Sequence, residues 1–204
     1  MADRERDLDR LLTFVDAVVA IAITLLVLPL AEVGQEVRTG HVAELLSEHA
    51  DDVVGFLLSF AVIARLWLGQ HAIVSSLVRQ SPLIVWLLLA WTLTIVFLPF
   101  PTSLVTATTN DALAKLLYIG TMTVSSALLA LLAWSIRRDR SLRDSDERPD
   151  AFHATATTAT FAVVLVISVV FPATTYWPLL LLLFTDTLAD RLFSRRTKRA
   201  QPAS

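Results

Sequence analysis

The sequence predicts an all-α, polytopic membrane protein of six transmembrane helices with both termini in the cytoplasm, and three observations carry that prediction. The first is composition: 55% of the 204 residues are hydrophobic and 18% are charged. With a mean hydropathy of +0.63, the chain holds more apolar surface than a soluble domain of this size can bury, and the bilayer is the natural solvent for the excess. The second is that the charges cluster, leaving long uncharged runs. The third is that Lys and Arg fall on one side of those runs.

A hydrocarbon core of ~30 Å needs about 20 mostly apolar residues per helix. Six such runs are bounded by charge, Pro or Gly, at about 11–31, 53–70, 83–100, 113–136, 154–171 and 173–188. Little more than Pro172 to Thr175 separates the last two, which makes them an antiparallel hairpin with Tyr176 and Trp177 at the interface. Arg4, Arg6 and Arg10 precede the first run, and Arg79 separates the second from the third. Arg137, Arg138, Arg140, Arg143 and Arg148 separate the fourth from the fifth, and Arg191, Arg195, Arg196, Lys198 and Arg199 follow the sixth. The opposite side holds Arg38 and Lys115. Because basic residues resist translocation, this pattern places both termini and the 137–150 loop in the cytoplasm and the acidic 32–52 loop outside. Residues 1–204 read as a single membrane domain, since no connection is long enough to fold alone. Stretch 41–50 reads as a short amphipathic helix or an ordinary loop.

The chain contains no cysteine, which excludes disulfides, thiolate metal sites and thiol nucleophiles. No phosphate-cradling glycine loop, His/Asp/Glu metal spacing or Ser/His/Asp arrangement is visible, so neither a catalytic nor a metal site is expected. The mixed charges of residues 1–10 and the missing small-residue cleavage site argue against a cleaved leader.

Ionisable groups at membrane depth are costly and mark functional candidates. Only 15 uncharged residues, Ala17 to Ala31, separate Asp16 from Glu32, so Asp16 lies within the first span or at its cytoplasmic edge. Two readings stand for Arg65 in the second span: snorkelling to the head groups, or pairing with a carboxylate such as Asp16. Along the first span, Ala17, Ile21, Thr24 and Leu28 follow a four-three-four spacing that puts them on one helical face. If copies met around an axis, Ile21 and Leu28 would form rings of hydrocarbon and Thr24 would offer oxygens between them. The competing reading is a membrane-helix threonine bonded to its own backbone.

The stretch Arg10-Leu11-Leu12-Thr13-Phe14-Val15-Asp16, continuing as Ala20-Ile21-Ala22-Ile23-Thr24-Leu25-Leu26-Val27-Leu28, resembles the first helix of the endosomal and lysosomal potassium channel family, the transmembrane protein 175 type, in its bacterial six-span form. That family opens with Arg, three variable residues and Phe-Ser-Asp; here Val15 replaces the serine. Ser59-Phe60 followed by Trp67 and His71, and the Leu98–Thr102 stretch, resemble the family's second and third helices, with Gln70 standing where the first of two histidines is expected.

The resemblance implies a potassium-selective, leak-like channel of the cell membrane: a homotetramer whose four first helices surround a central pore. It gives Ile21 as the hydrophobic constriction, Thr24 as the hydroxyl layer beside it and Leu28 as a second narrowing, with Ala17 on the same path. It gives Arg10, Phe14 and Asp16, with Trp67 and His71, as a structural lock that does not touch the ion; with Val15, unable to hydrogen-bond, the lock is either looser or rebuilt with other partners such as Arg65. Expected partners are further copies of the chain and membrane lipid, with no nucleic acid, and potassium is the permeant ion rather than a cofactor. The alternatives are a proton- or cation-coupled secondary transporter, with Asp16, Arg65 and His71 as a titrating relay, and a non-conducting scaffold. An enzyme is not expected.

Overall fold

The computed structural model describes residues 2–36, 47–79, 81–108, 111–142, 155 and 157–159. Those residues form six α-helices, α1 (Ala2–Leu25), α2 (Leu28–Glu36), α3 (Ala50–Val74), α4 (Pro82–Phe97), α5 (Pro99–Ala107) and α6 (Ala112–Arg138), and a 3-10 turn at Arg140–Leu142. Among them there is no β-strand. With α1 running on into α2 and α4 into α5, four helical stretches are long and apolar enough to cross a membrane: Arg6–Glu32, Ala50–Val74, Pro82–Ala107 and Ala112–Arg138. Each of the first four apolar runs of the sequence finds its helix. The runs at 154–171 and 173–188 lie outside the described residues, apart from residues 155 and 157–159, which are helical. Most of stretch 41–50 lies outside them too.

Each helix runs beyond the apolar stretch that marks it. The first helix begins at Ala2 rather than 11, the second ends at Val74 rather than 70, and the third continues to Ala107 rather than 100. The reason is that backbone hydrogen bonding extends through charged and hydroxylated turns that hydropathy does not count. Local signals mark the true ends. Ser81 caps α4 by accepting from the Ile84 amide at 3.3 Å, with Pro82 in the first turn where its missing N–H costs nothing. Asp111 caps α6 by accepting from the Leu113 amide at 2.7 Å and the Ala114 amide at 3.4 Å.

Two breaks interrupt the rods, both caused by proline. Pro29 cannot donate to the Leu25 carbonyl, and its ring crowds that carbonyl. The turn before it tightens instead, with Leu26 N donating to Ile23 O at 3.3 Å and Val27 N to Thr24 O at 3.2 Å. Pro99 and Pro101 likewise remove two donors from the third rod; Leu98 N turns to Ile95 O at 3.2 Å and α5 resumes beyond it.

One apolar face of each helix meets the interior. On α1 it is Leu8, Val15, Val19 and Ala22, with Leu26 in the turn that follows; on α4 it is Ile84, Leu88, Trp91 and Ile95. The principal packings are α4 on α6, α1 on α4 and α3 on α5. Gly55 of α3 faces Thr106 of α5 so closely that a Cβ there would overlap the threonine methyl, the small-residue contact by which membrane helices approach one another.

Candidate functional site

The α1 helix has two opposed faces. Val15, Val19, Ala22 and, in the turn that follows, Leu26 are buried against the rest of the chain, whereas Ala17, Ile21, Thr24 and, at the start of α2, Leu28 are exposed, Ile21 at 58% and Leu28 at 53%. At about 100° per residue the Ala17–Ile21–Thr24 stripe lies roughly opposite the buried stripe. The first helix thus packs by one side and presents Thr24 between branched apolar residues on the other, the arrangement a pore wall would need. The Thr24 hydroxyl donates to the Ile21 carbonyl at 2.7 Å. Its proton is thereby used within the helix, and the outward oxygen lone pairs remain available to a cation. The back-bonding and wall readings of Thr24 are therefore compatible.

A second cluster joins α1 to α3. Trp67 Nε1 donates to Asp16 Oδ1 at 2.8 Å, and the Trp67 ring lies 5.9 Å from that of His71 with the planes 34° apart. A charge-assisted bond of this kind is worth about 1.5–3 kcal/mol in water and less between membrane helices. It pins α1 in register against α3, directly below the exposed stripe. Asp16, Trp67 and His71 thus come together as one cluster. Arg10 and Phe14 do not join it: both are exposed, and among the described residues Arg10 makes no hydrogen bond or ion pair. Val15, in the place of the family's serine, is fully buried in the core, so the position is filled by apolar packing. Gln70 is buried while His71 beside it is exposed.

A third polar cluster was not singled out as a site from the sequence. Ser59 Oγ lies 2.7 Å from the Tyr118 hydroxyl and 3.0 Å from Thr102 Oγ1, all three buried, so α3, α5 and α6 are tied at one point. Thr102 also donates to the Leu98 carbonyl at 2.8 Å, at the proline break. The legible signal was three hydroxyl residues inside otherwise apolar runs, where each needs a partner; which one each finds depends on helix packing.

At the end of the bundle where α1 begins, a cavity of about 570 Å³ is lined by Asp7, Arg79, Ser81, Pro82, Val85, Asp139, Ser141 and Leu142. The Leu142 carbonyl accepts from the Val78 amide at 2.9 Å, stitching the α3–α4 connection to the turn after α6. Asp139 accepts from the Ser141 hydroxyl at 2.7 Å and the Ser141 amide at 3.0 Å. Those bonds, the hydroxyl's first, hold its carboxyl below the usual carboxylate range. Among the described residues no three His, Asp or Glu side chains gather as a metal site would require.

The helical fold and its threonine-bearing stripe have relatives among proteins of known kind. Residues 10–99 match the family model described as endosomal/lysosomal potassium channel TMEM175. A curated relative from Streptomyces collinus, described as a potassium channel, is 28% identical over 158 residues, covering 76% of this chain and 75% of its own. A crystal structure described as a lysosomal potassium-selective channel TMEM175 homolog from Chamaesiphon minutus superposes with a TM-score of 0.73, covering 90% of this chain and 98% of that one. At 22% identity that likeness is one of fold. The family-model match takes in the first-helix stretch that carries the resemblance read from the sequence. The similar proteins are channels, not enzymes.

Proposed function

We propose that the chain is a potassium-selective, leak-like channel of the cell membrane, in which four copies surround an axial pore lined by α1. The observation that carries this reading is the opposition of the two α1 faces: a buried stripe fixing the helix to its own protomer and an exposed stripe of Ala17, Ile21, Thr24 and Leu28. In a four-fold ring Ile21 is the hydrophobic constriction, Thr24 supplies a layer of oxygens beside it, and Leu28, just past the Pro29-induced break, narrows the path again. An ion crossing the Ile21 ring sheds part of its hydration shell, and potassium, which holds its water less tightly than sodium, crosses at lower cost. The Asp16–Trp67–His71 cluster holds α1 to α3 and stays off the ion path. The reading takes six spans, cytoplasmic termini and residues 1–204 as one domain, with the cavity at Asp7 and Arg79 on the cytoplasmic side. Its partners are three further copies and lipid, with potassium as permeant ion.

The test is flux from purified protein in liposomes under a potassium gradient, compared with sodium, with and without a protonophore. Potassium-preferring flux that is indifferent to the proton gradient supports the channel. Flux that requires proton exchange establishes the coupled carrier, with Asp16 and His71 as the first groups to neutralise. Its absence from a folded oligomer leaves the family fold without conduction.

A further inference from the structure

The cavity at the end of the bundle where α1 begins carries charge of both signs that the chain does not pair. About 570 Å³ in volume, it brings together Asp7 of α1, Arg79 of the α3–α4 connection and Asp139 of the turn after α6, and its size is that of a small-ligand site. Among the described residues neither the Asp7 carboxylate nor the Arg79 guanidinium makes an ion pair or a hydrogen bond. Opposite charges that line one cavity and do not meet leave a gap that a ligand of both signs can span.

The chain's own backbone fixes the walls. The Leu142 carbonyl accepts from the Val78 amide at 2.9 Å and from the Arg79 amide at 3.4 Å, and the Leu142 amide donates to the Asp139 carbonyl at 3.3 Å. Both Ser141 bonds to the Asp139 carboxylate end on Oδ1, which leaves Oδ2 for a further donor. Ser81 Oγ accepts from the Ile84 amide, so its hydroxyl hydrogen is still to be donated. Arg6, Asp9 and Arg10 of α1 and Arg137 and Arg138 of α6 are exposed and do not line the cavity, and the Arg138 guanidinium lies 5.1 Å from the centroid of the Trp134 ring.

Position narrows the choice of ligand. One membrane-crossing stretch starts at Pro82 and another ends at Arg138, so the cavity lies at the level of the head groups of a bilayer. Pro82 and Val85 line it on the α4 side. Leu83 and Trp86, 58% and 71% exposed, continue an apolar surface along α4, and tryptophan is a residue that settles at the membrane interface.

We propose that this cavity binds a phosphoethanolamine group, a primary ammonium joined through a short chain to a phosphate, with the phosphate on Arg79 and Ser81 and the ammonium between Asp7 and Asp139. An ammonium offers three donors and no acceptor, which suits two carboxylates, and a guanidinium suits a phosphate. A trimethylated choline lacks those donors, and a glycerol head group lacks the positive charge. The group has two sources: the head group of phosphatidylethanolamine in the surrounding leaflet, and soluble phosphoethanolamine. The site rests on the cavity alone and does not depend on the pore reading. Its occupant ties the first helix to the α3–α4 connection and to the turn after α6.

The experiment is native mass spectrometry and thermal unfolding of the detergent-solubilised full-length chain with phosphatidylethanolamine, phosphatidylcholine or phosphatidylglycerol of the same acyl chains, and separately with soluble phosphoethanolamine. Expected are retention of phosphatidylethanolamine over the other two lipids and a rise in melting temperature that it alone gives. Asp7→Asn and Arg79→Gln should each weaken that retention on the order of a few-fold, and Asp9→Asn, outside the cavity, should bind as the parent chain does. Retention of the lipid against an excess of the soluble group assigns the leaflet as the source; protection by the soluble group without retention of the lipid keeps the site and assigns the soluble source. Equal retention of the three lipids, no response to either source, or a preference that survives both Asp7→Asn and Arg79→Gln overturns the site. So does a preference for phosphatidylglycerol that Arg79→Gln alone removes, which leaves a phosphate contact without the ammonium. Both substituted side chains are exposed and unpartnered among the described residues, so the variants are expected to fold; should one fail, the head-group series on the parent chain decides. Ion flux is no readout of this test, so failure of the site leaves the channel reading where it stands.

Discussion

At the residue scale, the Asp16–Trp67 bond separates structure from conduction. Trp67→Phe keeps most of the ring and deletes the donor, leaving Asp16 Oδ1 without its partner. It is predicted to lower the stability of the detergent-solubilised protein by about 1–2 kcal/mol, read as a fall in melting temperature, while assembled channels keep their ion preference. A shift in selectivity without loss of stability would put the pair on the ion path. Thr24→Ala has the opposite signature: the only bond lost is to the helix's own Ile21 carbonyl, so stability should hold while the potassium-to-sodium preference changes; an unchanged preference would remove Thr24 from the pore. That Asp16 needs a partner was legible because an acid at membrane depth requires one, yet depth alone offered Arg65, and Trp67 and His71 came from the resemblance of the second helix. That Arg10 and Phe14 stand apart from it was not, because a motif records which residues recur together and not which way each faces. Nor does the replacement at position 15 leave a hole: valine there packs into the core as an ordinary apolar residue.

At the element scale, the account rests on how the rods touch. The Gly55 contact with Thr106 brings α3 and α5 together next to the hydroxyl cluster of Ser59, Thr102 and Tyr118. Gly55→Ala gains helix propensity of about 1 kcal/mol but places a methyl on Thr106, and overpacking of this kind costs about 1–3 kcal/mol. A net loss of thermal stability is predicted, and its restoration in the double variant with Thr106→Ser, which removes the opposing methyl, would confirm the collision; no rescue would place the strain elsewhere. At the other end of the bundle, Asp139 closes the turn that follows α6. A carboxylate held below its ordinary value of 3.8 stabilises the turn fully above that value and loses the contribution as pH falls through the lower folded value. Protection of the Val78 amide, which is bonded to Leu142 across that turn, should therefore stay level down to about pH 4 and drop below it. A drop centred near neutral pH would assign the control to another group. Four helices were legible from apolar length alone. Their ends and the two proline breaks were not placed, since hydropathy averages across the caps and the missing donors that decide them.

At the scale of the whole molecule, the described helices form a bundle against which the first helix packs by one face. The stripe that the described fold leaves exposed is also the stripe that the four-three-four spacing marks. The family match over residues 10–99 covers α1 to α4, the part of the chain that holds both the stripe and the lock. Sequence alone could place the stripe on one face but not say whether that face met the protomer core, because apolar residues serve equally for packing and for lining a dewetted path. Burial resolves this in favour of a face turned away from the protomer's own core. The measurement that tests the central claim most directly is the potassium-to-sodium permeability ratio of Ile21→Asn against the parent chain in planar bilayers under bi-ionic conditions. If Ile21 is the constriction, the amide hydrates the ring, sodium passes more easily, and the ratio falls toward unity in channels that still assemble. A ratio equal to that of the parent chain would mean that ions cross by a route that does not pass Ile21.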